Sequence, residues 1–195
     1  MITGYIEITK GSIEINGIDV TTNPKMAKEQ IGYMPENVPV YSDLKVKEFL
    51  RYMAELKFTK KEEISKNIEK VIEDINIRDV ENKIIKQLSK GYKQRVSLAG
   101  TLVSNPKIII LDEPMSGLDP KQILEIRSVI KKLKKDHIII ISSHILSEIS
   151  QICDKVIIIN EGKILATDTI KEIEKRGENL EDMFIRILEE NGGNK

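Results

Sequence analysis

The sequence predicts an α/β protein: a mostly parallel sheet with flanking helices, a β-hairpin at its edge and a small helical subdomain. Three observations predict it. The runs 108–111 (IIIL) and 138–141 (IIII) are wholly apolar and largely β-branched, as in parallel strands buried on both faces. Each follows a segment of helical character, and the order helix-strand-helix-strand implies crossover helices. Asn16-Gly17 lies between two alternating segments, and that dipeptide favours a two-residue hairpin turn because both residues tolerate positive φ.

The elements follow in chain order. Residues 12–34 read as β-rich, with 12–15 and 18–20 as the hairpin arms. Residues 43–87 read as the helical subdomain. Val46, Phe49, Leu50 and Met53 fall on one helical face, which Leu56 continues. Ile64, Ile68, Val71, Ile72 and Ile75 repeat the pattern on a second helix. A helix over about 92–103 precedes the first apolar run, and one over about 122–134 precedes the second. Residues 156–159 and 163–166 flank Glu161-Gly162 as a terminal hairpin. Thr169 and Glu172 form a capping box that opens a helical tail over 169–195.

Composition limits the function. Lys+Arg and Asp+Glu are both 31, so the formal net charge is zero. A nucleic-acid binder normally carries a basic excess, so nucleic acid is not an expected partner. Cys153 is the only cysteine, which excludes an intrachain disulfide and a four-cysteine zinc site. The two histidines, His137 and His144, exclude a histidine-rich metal site. No apolar run approaches the ~18 residues of a spanning helix, and no signal-peptide pattern opens the chain. A cytoplasmic protein is expected.

Ligands of open α/β sheets bind outside the carboxyl ends of the strands. One such end delivers Asp112-Glu113-Pro114 and the other Ser142-Ser143-His144. Asp112 is a candidate Mg²⁺ ligand, since magnesium prefers hard oxygen donors. Glu113 is a candidate to orient or deprotonate water, and His144 to bond a terminal phosphate oxygen. A plainer reading has the acidic pair start a loop and His144 cap a helix; the residues alone leave both open. Residues 88–95, LSKGYKQR, open a helix with Ser89 as a good N-cap, and free N–H groups at a helix start suit an anion.

The stretch LSKGYKQRVSLAGTLVSNPKIIILDEPMSGLDP resembles the core of an ABC-type ATPase, the nucleotide-binding subunit of ABC transporters. Residues 88–92 are similar to the LSGGQ signature, with Lys90 for a Gly and Tyr92 for the Gln. Residues 108–113 are similar to the Walker B strand and catalytic glutamate, 116–119 to the D-loop, and His144 to the switch histidine. Residues 31–36 resemble the Q-loop region, with Glu36 where most members have Gln. The resemblance implies a P-loop NTPase-like fold with ATP and Mg²⁺ as cofactors. It implies Glu113 and His144 as catalytic, and Ser89, Gly91, Glu36 and Asp119 as nucleotide-binding. Asp112 and Glu36 would hold the metal. The implied partners are a membrane-spanning permease subunit, met by the helical subdomain, and a second ATPase subunit. The implied location is the inner face of the cell membrane.

The family's P-loop, GxxxxGK[ST], is not found. Of the eleven glycines only Gly162 precedes a Lys, and Ile157 stands where the first glycine of the motif would be. The family's adenine-stacking aromatic residue and first strands are not found either. Met1-Ile2-Thr3-Gly4-Tyr5 resembles the end of the helix that follows the P-loop, so residues 1–195 are expected to be a single incomplete ATPase domain. An internal start codon or a decayed or split gene is preferred over a truncated chain that works as a partner subunit. Two functions stand: an ATP-hydrolysing transporter subunit, and a non-hydrolysing partner that donates its signature motif. The Q-loop region resembles that of exporters of the multidrug or sodium-efflux type. An SMC-type nucleic-acid ATPase would need sustained heptads, and none occur.

Overall fold

A computed structural model describes residues 1–37, 40–57 and 59–192. The last three residues of the expected tail lie outside these. The chain divides into two compact units, Met1–Ser142 and Ser143–Lys195.

The first unit opens with turns and bends: Gly4 N–H donates to Met1 O, and Gly4 has φ +69°. The hairpin follows as β1 (Glu14–Ile15) and β2 (Ile18–Asp19), antiparallel. Asn16 and Gly17 both have positive φ, 51° and 74°, the twist that suits a two-residue turn. The segment expected to be β-rich also contains a helix, α1 (Pro24–Glu29). Pro24 supplies a preset φ in its first turn, and Met, Ala, Lys and Glu are good helix formers.

The parallel sheet has the order β3-β4-β5, from β3 (Ile31–Met34), β4 (Ile108–Asp112) and β5 (Ile138–Ser142). Gly32 pairs with Ile109 and Asp112 with Ser142. One face of β4, through Ile108 and Ile110, packs on the cluster of Ile15, Ala27 and Ile31. Ile109 and Leu111, on the other face, are fully buried. The expectation that both apolar runs are buried on both faces holds less well for β5. Ile138 and Ile140 are 62% and 45% exposed. They share a face with Ile108 and Ile110, but β5 is the sheet's edge and the hairpin cluster does not include them.

The helical subdomain holds α2 (Val46–Leu56) and α3 (Lys61–Asp74). Val46, Phe49 and Leu50 are buried, with Ile64, Ile68, Val71, Ile72 and Ile75 opposite. Each such side chain contributes about 1.5–3 kcal/mol. Leu56 does not continue the stripe: it is 50% exposed in the last turn, and Ala54 is the buried residue there. From the end of α2, Lys57 Nζ donates to Ile31 O at 3.0 Å, which ties the subdomain to β3. Burial, then the charge of Lys28, pushes the Lys57 ammonium below the usual lysine range.

Helix α4 (Lys90–Leu102) links the subdomain to the sheet, and α5 (Pro120–Leu133) crosses from β4 to β5. Glycines allow the close approaches of α4. A Cβ at Gly100 would overlap the Phe49 ring, and one at Gly32 would lie 2.7 Å from Thr101 O.

The second unit holds α6 (Leu146–Ile152), the antiparallel pair β6 (Lys155–Asn160) and β7 (Lys163–Thr169), α7 (Ile170–Lys175) and α8 (Leu180–Gly192). Glu161 and Gly162 turn the hairpin with φ 47° and 75°. Only half of the expected Thr169 capping box forms: Glu172 N–H donates to Thr169 Oγ1 at 3.2 Å, but the Thr169 N–H turns to Asp168 Oδ1 at 2.8 Å, and Glu172 Oε2 accepts the Thr169 hydroxyl at 2.7 Å instead.

Candidate functional site

Asp112 ends β4, and hydroxyls meet both of its carboxylate oxygens. Ser142 Oγ donates to Oδ1 at 2.5 Å, and Tyr33 Oη donates to Oδ2 at 3.4 Å. The sheet register produces this arrangement. Tyr33 and Asp112 lie on the face that carries Ile110, and Ser142 pairs directly with Asp112. Burial, and then the Asp112 charge, pushes the Tyr33 phenol above its usual range, which keeps it a donor.

Glu113 follows with φ 47°, a left-handed conformation that is uncommon outside glycine. Its N–H meets both Ser142 O at 3.1 Å and Ser142 Oγ at 3.3 Å. Strain of this kind collects at functional sites, where the surroundings hold it in place. Part of that support comes from α4: buried Gln94 donates from Nε2 to Pro114 O at 2.9 Å. Sequence reasoning missed Tyr33, Ser142 and Gln94.

Ser89 is the N-cap of α4 and accepts the Tyr92 N–H at 3.4 Å. Gly91 is buried, and a Cβ there would overlap the Gln122 side chain, so its glycine serves a close approach to α5. Tyr92 turns toward the helical subdomain, where its hydroxyl donates to Asp79 Oδ2. That bond, and then burial, pushes the Tyr92 phenol up. The Arg95 guanidinium lies 4.2 Å over the Tyr92 ring. Gln94 brings the first turns of α4 against the Asp112-Glu113-Pro114 segment, so signature-like and acidic motifs meet in one unit.

Asp119 is the N-cap of α5, accepting Gln122 N–H on Oδ1 at 2.9 Å. The Gln122 side chain returns to Asp119 N–H at 3.5 Å, so the carboxylate works here as a helix cap. Glu36 is exposed two residues beyond β3, at the same carboxyl edge of the sheet as Asp112. His144 belongs to the second unit. It is exposed in a bend before α6, next to Ser143, whose Oγ accepts the Ile145 N–H at 3.1 Å.

Among the described residues no three or more His, Cys, Asp and Glu side chains converge to hold a metal. A Mg²⁺ ion would need only one or two carboxylates and would complete its shell with water and phosphate oxygens. Asp112, oriented by two hydroxyls, is one candidate for such a carboxylate, and Glu36 is the second.

Comparison with known proteins places the chain in a family. The family model described as "ABC transporter" matches residues 1–116. The uncharacterized ABC transporter ATP-binding protein YhaQ of Bacillus subtilis is 35% identical over 176 residues, 90% of this chain and 58% of that protein. The ABC transporter ATP-binding protein NatA of the same organism is 32% identical over 192 residues, 96% of this chain and 78% of that protein. A solved structure titled as an ATP binding subunit of an ABC transporter superposes with a TM-score of 0.83 at 27% identity, covering 95% of this chain and 80% of that one. The chain thus spans less than two thirds of the length of YhaQ. With the family model matching more than half of its residues, the chain belongs to the ABC transporter ATP-binding protein family.

Proposed function

We propose that this chain is part of an ATP-hydrolysing subunit that drives a membrane transporter in the direction of export. The observation that carries the reading is Asp112-Glu113 at the carboxyl end of β4, with hydroxyls on Asp112 and a strained backbone at Glu113. Asp112, with Glu36, would hold Mg²⁺, which when bound neutralises phosphate charge and polarises the phosphoryl group. Glu113 accepts a proton from the water that attacks the γ-phosphorus. The bond to the ADP oxygen breaks, leaving ADP and inorganic phosphate. His144 donates to a γ-phosphate oxygen. Ser89, Gly91 and Asp119 serve a nucleotide held between this chain and a second ATPase subunit.

The helical subdomain is the proposed contact for a permease. Tyr52 and Leu56 lie one turn apart on α2 and are exposed, and the Tyr41 ring packs on Tyr52 at 5.0 Å. The subunit would work at the cytoplasmic face of the membrane. No helix among the described residues is long and apolar enough to cross a membrane. Export rests on the likeness of residues 31–36 to exporter-type subunits.

The test is Glu113→Gln in a polypeptide that also carries a GxxxxGK[ST] segment. Turnover should fall by at least about a hundredfold, while ATP-bound dimers accumulate. Loss of ATP binding together with dimerisation would contradict the role given to Glu113. A second reading is a non-hydrolysing subunit that lends its residues 88–92 to an intact partner. DNA upstream of Met1 separates the two: an in-frame extension encoding GxxxxGK[ST] supports the first. The 195-residue chain alone should bind Mg-ATP far more weakly than micromolar, as calorimetry would read.

A further inference from the structure

The start of α4 and the 116–119 loop touch in both directions. A Cβ at Gly117 would overlap Lys90 Nζ, so the lysine tip lies against the Gly117 α-carbon. In return, the Gln122 side chain from α5 covers Gly91. Gln122 is itself locked to Asp119 by the reciprocal cap, so its contact carries the end of the loop with it. The loop between is a tight turn. Ser116 N–H donates to Glu113 O at 3.1 Å and Leu118 N–H to Met115 O at 3.3 Å, and Gly117 has φ +65°.

Lys90 is an odd residue for its place. It is the first residue of α4, where the helix presents its positive end, and the first turn carries no acidic residue to balance it. Local electrostatics therefore drive the ammonium away from the helix end, and the course it takes runs across the Gly117 turn. Tyr92, the other departure from the LSGGQ pattern, anchors the same turn of α4 the opposite way. Its hydroxyl bonds Asp79, and the adjacent Arg95 donates to Asn76 O at 3.1 Å. The first turn of α4 is thus bonded to the subdomain on one side and lies against the 116–119 loop on the other.

We infer that Lys90 is a positioning residue that clamps the 116–119 loop to the start of α4, so that the two segments keep one relative geometry. Its value for function rests on the reading above, in which both segments face a shared nucleotide. The clamp itself is a property of this chain alone, so its test needs neither nucleotide nor partner.

The experiment is amide hydrogen exchange, read by NMR on the 195-residue chain. Lys90→Ala should speed exchange at Ser116 and Leu118 by about fivefold or more, leaving the amides of α2 unchanged. Lys90→Arg, which keeps a long cationic side chain, should restore protection. Unchanged exchange at Ser116 and Leu118 would overturn the clamp, as would an equal rise throughout α2. Those results would leave the ATPase reading standing, and failure of the Glu113→Gln test would leave the clamp standing.

Discussion

Ser142 Oγ donates to Asp112 Oδ1 at 2.5 Å across the parallel pair β4–β5, and the same oxygen accepts the Glu113 N–H at 3.3 Å. One hydroxyl therefore orients the candidate metal ligand and steadies the strained residue next to it. Ser142→Ala removes both bonds. The expected loss is about 1 kcal/mol of stability, since the site is open and water replaces part of what is lost. Urea unfolding of the two chains measures it; equal midpoints would mean the hydroxyl contributes nothing to holding Asp112.

The left-handed backbone at Glu113 yields a prediction of opposite sign. A non-glycine residue at φ 47° is strained, and glycine is not. Glu113→Gly should raise stability by about 0.5–1 kcal/mol, read as a higher urea midpoint, while removing the carboxylate proposed to act on water. A stabilised but catalytically useless variant is the expected mark of strain kept for function.

How far the sequence revealed these features depends on how local each one is. The Asn16-Gly17 turn was legible because two adjacent residues specify its two positive φ values. Asp112 and Glu113 were legible because a strand end and an acidic pair stand together in the chain. Ser142 and Tyr33 were not, because their roles depend on the register that pairs Asp112 with Ser142 and Met34 with Leu111. Such pairing joins residues 30 and 79 positions apart in the chain. Helix α1 was hidden because six residues are too few to show a period. The exposure of Ile138 and Ile140 was hidden because an apolar strand does not state which neighbours will cover it.

Gly32 tests the spacing between β3 and α4, which sets where residues 34–36 emerge from the sheet. A Cβ there would lie 2.7 Å from Thr101 O, 2.8 Å from Pro106 Cγ and 2.9 Å from Thr101 Cγ2. Backbone and a proline ring cannot step aside as a flexible side-chain tip does. Gly32→Ala should therefore cost about 2 kcal/mol by overpacking. Thermal unfolding reads this, and an unchanged melting temperature would mean β3 and α4 are not held as closely as the structure has them.

The second unit carries the pH prediction. The Arg176 guanidinium bonds the Asp168 carboxylate, and the Thr169 N–H donates to it at 2.8 Å. The Arg176 bond first, with the Thr169 N–H adding to it, lowers the Asp168 pKa below its ordinary 3.8. Because the folded chain holds this proton less tightly than the unfolded chain, folding is favoured while the carboxyl is ionised. The stabilisation is complete above the unfolded value and disappears as the pH falls through the lower folded value. Asp168→Asn cannot ionise and so lacks this term at every pH. Its melting temperature should lie below that of the parent at about pH 6, and the gap should close as the medium is taken to about pH 2. A gap of constant size across that range would mean that Asp168 acts by shape and hydrogen bonding alone, with no ionic contribution from Arg176.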